Sequence, residues 1–145
     1  MALLVSFLLA VTSLTSPSVP TIGPAQAYTL VRRGEAVLID VREREEIADG
    51  MAAPALWMPF SRIRHDPEEF ARFVSVIPAD RILVFYCAKG GRAEMAAARA
   101  KQVGRSVRNM GAFSGWVGAG LPVRIPAASA APTGDAGRSH FAAHR

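Results

Sequence analysis

The sequence predicts an α/β domain: a parallel sheet with helices on both faces. The runs Val37-Leu38-Ile39-Asp40-Val41 and Ile82-Leu83-Val84-Phe85-Tyr86 are almost continuously apolar and rich in β-branched or aromatic residues. That is the pattern of strands buried on both faces rather than one. Helical periodicity fills the gaps between such runs, and the resulting alternation of strand and helix is what a parallel sheet needs, since each return to the same end requires a crossover. The chain has 145 residues, half of them apolar, enough for one core and too few for two ordinary domains.

Taken in order, the chain opens with MALLVSFLLAV, an uncharged apolar run with the length of a signal-peptide core and shorter than a membrane span. Residues 1–21 are therefore read as a signal-like or anchor segment, which favours a periplasmic or secreted protein. A cytoplasmic protein with a misassigned start is the alternative, because no Lys or Arg precedes the run. Membrane contact is expected only if the segment is an uncleaved anchor. Ala25-Gln26-Ala27 is a small-x-small cleavage site, yet residues 24–33 carry proline near the start, cations in the last turn and Gly34 just beyond, the punctuation of a helix. The strand at 37–41 leads to a helix over 43–49, and residues 56–58 form a weaker strand. His65 is expected in a surface loop, with Asp66 capping a helix over 67–77 that aligns Phe70, Phe73, Val74 and Ile77 on one face. The strong strand at 82–86 runs into an alanine-rich helix over 92–103, and a weaker strand follows at 106–110. Beyond Pro126 the composition turns to Ala, Ser, Gly and Pro, so residues 126–145 are expected to form a flexible tail.

With 17 basic and 12 acidic residues the net charge is +5, which favours anionic partners without choosing among them. No stretch interleaves clustered Lys or Arg with aromatics, so nucleic acid is not expected as a partner. A single cysteine excludes an intramolecular disulfide and a Cys-rich zinc site. His140 and His144 lack a thiol or carboxylate at ligand spacing, so no metal and no cofactor is expected. Nothing in the pattern speaks to oligomeric state.

That cysteine sits in Tyr86-Cys87-Ala88-Lys89-Gly90-Gly91-Arg92-Ala93, between the strongest strand and a helix, where sites of open parallel sheets form. A helix N-terminus and neighbouring cations stabilise a thiolate, the nucleophilic form of cysteine. Two glycines permit the positive φ angles that curl successive N–H groups into an anion-binding nest. Lys89 and Arg92 add charge, and the same cradle suits an anionic sulfur donor and the anion left after transfer. A cysteine ending an apolar strand is ordinarily just buried; the cationic, glycine-rich continuation reverses that expectation.

Cys87, Gly90 and Arg92 match the Cys-x-x-Gly-x-Arg loop of the rhodanese family, which this sequence resembles. Leu38-Ile39-Asp40-Val41-Arg42 is similar to the family's Leu-Ile-Asp-Val-Arg strand, and residues 111–123, GAFSGWVGAGLPV, to its closing pattern, with Ala112 at the second glycine. The resemblance spans residues 22–125 and implies a rhodanese-like α/β domain with a central parallel sheet of about five strands. It further implies a sulfurtransferase: Cys87 takes a sulfane sulfur from a thiosulfate-like or persulfide donor, holds it as a persulfide and passes it to a thiol or cyanide. The N–H groups of Ala88, Lys89, Gly90, Gly91 and Arg92 would hold the persulfide. Arg92 would anchor the loop, Lys89 would face the donor, and Asp40 with Arg42 would form a supporting pair. The chain departs from the family at Ala93, where a serine is common, and at Met51 and Pro54, where His and Gly are common. Alternatives are a non-catalytic module keeping the fold, and a cysteine-dependent phosphatase or arsenate reductase. The loop of those enzymes is generally one residue longer than the four residues between Cys87 and Arg92.

Overall fold

The computed structural model describes residues 18–128 and 131–133. Helix α1 (Pro24–Arg32) starts with proline in its first turn and ends at Arg32, and Gly34 makes the turn beyond it at φ +70°. Strand β1 (Ala36–Asp40) follows, then a single helical turn, α2 (Arg44–Ile47). Two short strands, β2 (Met51–Ala52) and β3 (Leu56–Trp57), precede helices α3 (Phe60–His65) and α4 (Pro67–Ser75). Strand β4 (Ile82–Cys87), helix α5 (Gly91–Gln102) and strand β5 (Val107–Ala112) form the central crossover, and helix α6 (Phe113–Gly118) and strand β6 (Val123–Arg124) close the fold.

The sheet is wholly parallel in the order β3-β1-β4-β5, with four strands where about five were expected. The fifth position is taken by a single bridge, Thr21 beside Asn109, with Asn109 donating its backbone N–H to Pro20 and accepting from Ile22. Pro20, which has no N–H, precludes a longer ladder there.

Side chains alternate across the sheet. Leu83, Phe85 and Cys87 of β4 face one core with Ile39, Val41, Phe70, Phe73 and the alanines of α5. Val84 and Tyr86 face the other with Leu38, Ala27, Ile47 and Trp116. Ala93, Ala96, Ala97 and Ala100 have no exposed surface; their small size brings α5 close against the sheet. Trp116 is fully buried, donates its indole N–H to Pro122 at 2.8 Å and meets Tyr28 edge-on at 5.5 Å.

Several expectations need correction. The helix expected at 43–49 is one turn, stopped by Gly50 at φ +140°. His65 is the exposed last residue of α3, a helix too short for its period to stand out in sequence. Asp66 does cap α4, accepting the Glu69 N–H at 2.8 Å. The antiparallel pair β2–β6 joins residues far apart in sequence and carries no local signal. Part of the expected flexible tail docks: Trp57, on the sheet edge, donates its N–H to the Thr133 hydroxyl at 3.0 Å and accepts the Thr133 N–H at 2.8 Å. Most of the signal-like segment, and His140 and His144, lie outside the described residues.

Candidate active site

Cys87 is the last residue of β4, and its side chain is carried by strand alternation toward the N-terminus of α5. It is 1% exposed. The Gly90 N–H donates to its Sγ at 3.0 Å, closing the loop back on the sulfur. Ala88, Lys89 and Gly91 are exposed, whereas Gly90 is buried. Gly90 has φ +101°, and a Cβ there would stand 3.3 Å from the Gly111 Cα, so both conformation and space demand glycine. Among the described hydrogen bonds, Gly90 supplies the loop N–H that reaches the sulfur.

The loop is held from behind by residues that sequence reasoning missed. Asn109 donates through Nδ2 to the Gly90 carbonyl at 3.2 Å and to Glu94 Oε2 at 2.9 Å, and accepts from the Gly111 N–H at 2.9 Å. The other Glu94 oxygen accepts the Val19 N–H at 2.8 Å. The ladder between β4 and β5 shifts register here: Asn109 stands opposite Phe85, but Gly111 opposite Tyr86. Such a bulge re-aims side chains. The sequence signal was Asn109 two residues before Gly111, which has φ +87°.

Arg92 lies in the first turn of α5, but its guanidinium points to α2. Nη1 and Nη2 each donate to one oxygen of Glu46 at 2.6 Å. That hydrogen bond to Arg92 holds the Glu46 carboxyl down at about 2, and the same bond raises Arg92. Glu46 also completes a capping box, accepting the Glu43 N–H at 2.7 Å.

Asp40 and Arg42 form a buried ion pair. Arg42 Nε donates to both Asp40 oxygens at 3.1 Å, and Nη2 to Oδ2 at 2.7 Å. Burial works against the Arg42 charge, but Asp40 outweighs it and raises the guanidinium. Arg42 also donates to the carbonyls of Glu46 at 3.0 Å and Gly50 at 2.8 Å, and lies 4.0 Å over the Phe113 ring. Burial first, then the Asp40 carboxylate, pushes the Tyr86 phenol far up; its oxygen accepts the Ala52 N–H at 3.0 Å. The arrangement thus joins Asp40, Arg42, Glu46 and Arg92 in one line of charge-assisted bonds ending at the cysteine loop. Chemically it places a buried thiol beside a backbone N–H donor, with Lys89 exposed in the same loop.

Residues 23–119 match the family model described as the rhodanese-like domain. A sulfurtransferase of Allochromatium vinosum is 35% identical over 94 residues, covering 63% of this chain and 81% of that protein. Human thiosulfate:glutathione sulfurtransferase is 34% identical over 107 residues, 68% of this chain and 93% of that protein. The crystal structure of a rhodanese-related protein from Thermoplasma volcanium superposes with a TM-score of 0.60 at 24% identity, covering 74% of this chain and 99% of that one.

Proposed function

This chain belongs to the rhodanese-like domain family, and we propose that it is a sulfurtransferase whose sulfur carrier is Cys87. The observation that carries the proposal is the Gly90 N–H placed 3.0 Å from a cysteine sulfur at the strand–helix junction. A backbone N–H at that position can hydrogen-bond a sulfur anion, thiolate or persulfide alike. In the first half-reaction the Cys87 thiolate attacks the outer sulfur of the donor. A Cys–S–S bond forms, the donor's S–S bond breaks, and sulfite leaves from thiosulfate or RS− from a persulfide. In the second, a thiol or cyanide takes the outer sulfur and Cys87 returns as a thiolate. The cradle of Ala88, Lys89, Gly90, Gly91 and Arg92 surrounds the persulfide, the backbone N–H groups serving its charge.

The relatives named as sulfurtransferases support this reading over a non-catalytic scaffold. The test is intact mass after incubation with thiosulfate, for the parent and for Cys87→Ala. The parent alone is expected to gain one sulfur atom and to lose it to cyanide. A folded parent that stays unmodified with thiosulfate, mercaptopyruvate and polysulfide would end the sulfurtransferase reading.

A further inference from the structure

We propose that Glu46 is a positioning residue of this site: it clamps Arg92 against α2 and, by cancelling its charge, weights the site toward singly charged persulfide donors over doubly charged thiosulfate. The inference rests on the sulfurtransferase reading above.

Three observations lead to it. Both terminal nitrogens of Arg92 are taken by the two Glu46 oxygens at 2.6 Å, which occupies the paired face with which arginine binds an oxyanion bidentately. Glu46 is itself held from two sides, by the Glu43 N–H on its carboxylate and by Arg42 on its carbonyl, so it does not simply follow Arg92. Lys89, by contrast, is exposed and takes part in no ion pair among the described residues. The cradle therefore presents one net cation to the donor rather than two. A persulfide RSS− brings one charge to that cradle and thiosulfate brings two. The transfer is balanced for either: Cys–S− with RSS− gives Cys–S–S− and RS−, and with thiosulfate gives Cys–S–S− and sulfite. Freeing Arg92 should help the more highly charged donor most.

The test is steady-state kinetics with cyanide as common acceptor, comparing thiosulfate with the persulfide of 2-mercaptoethanol. In Glu46→Gln the KM for thiosulfate is expected to fall about five-fold relative to that for the persulfide, the effect of one more unit charge at a partly screened site. Its kcat falls with both donors as the clamp loosens. Glu46→Asp keeps the charge but shortens the reach, so it lowers kcat and leaves the donor ratio of KM at the parent value. Should Glu46→Gln not fold, the double variant Glu46→Gln/Arg92→Gln removes both charges and is expected to keep the parent ratio. An unchanged ratio in a folded, sulfur-loading Glu46→Gln, or a shifted ratio in the double variant, overturns the charge assignment. An unchanged kcat in Glu46→Gln and Glu46→Asp overturns the clamp. A parent that takes sulfur from neither donor instead sinks the sulfurtransferase reading, and this inference with it.

Discussion

Gly90 is where backbone conformation and chemistry meet. Its positive φ turns its N–H onto the Cys87 sulfur while its carbonyl accepts from Glu94 N at 2.9 Å and from Asn109. Gly90→Ala adds a Cβ in the left-handed region, 3.3 Å from the Gly111 Cα. It is expected to cost about 1–3 kcal/mol of stability in denaturant unfolding, the range for a non-glycine residue forced into such a conformation, and to slow sulfur loading as the N–H swings away. A variant as stable as the parent that loads sulfur at the parent rate would show that the loop does not depend on that conformation. Asn109 acts one step further back. Asn109→Ala takes one hydrogen bond from each of Gly90, Glu94 and Gly111, so loading should slow while Cys87 remains in place.

At the scale of elements, α2 is a single turn with little helical stability of its own, and it owes its place to bonds at both ends. Its capping box uses Glu43 and Glu46, the Glu43 carboxylate also accepts the Ser61 N–H at 2.9 Å and its hydroxyl at 2.7 Å, and Glu46 bridges to α5. The bridge makes a pH prediction with a definite sign. The Glu46 carboxyl is lowered from 4.5 to about 2 on folding. A lowered carboxyl contributes its full stability above its unfolded value and loses it as the pH falls through the folded one. Between pH 5 and about pH 2 the parent should therefore lose more stability than Glu46→Gln. Because the pair is about a third exposed, added salt should shrink the difference. Parallel pH profiles for the two proteins would mean that the bridge contributes nothing to folding.

At the scale of the molecule, both flanks of the family-matched region reach back onto the sheet. Downstream, the Thr133 contacts cover the backbone of Trp57 on the outer strand, and Arg44 adds a bond to the Ala128 carbonyl at 3.2 Å. Open strand edges invite pairing with another chain. Truncation after Ile125 is expected to cost about 1–2 kcal/mol for the lost hydrogen bonds and to increase self-association, as read by chemical unfolding and sedimentation. A truncated chain with full-length stability and sedimentation would make the docking inconsequential. Upstream, Val19 is 4% exposed and Ala27 wholly buried, and Thr21 extends the sheet. Cleavage after Ala27 would remove all three and cut α1 (Pro24–Arg32) in half, so the N-terminal sequence of any processed, folded form is expected to begin before Val19. A folded product starting at Tyr28 would refute this.

What the sequence determined by itself was everything with a local or periodic signature. The two strong strands were readable because strands buried on both faces need unbroken apolar residues, and α1, α4 and α5 because a helix long enough to bury one face shows its period. The Cys87 loop and the Asp40–Arg42 segment were legible as compact motifs, each carried by neighbours in sequence. The tertiary structure decided what depends on distance. Arg92 was expected to serve the loop with its charge, but folding places Glu46, 46 residues away, against it. Asn109, Glu94 and Val19 meet behind Gly90 only because β5 packs beside β4 and the chain start runs along β5. Charge partners, bulges and edge covers are set by which backbones come to lie side by side, and no residue carries that information in its own neighbourhood.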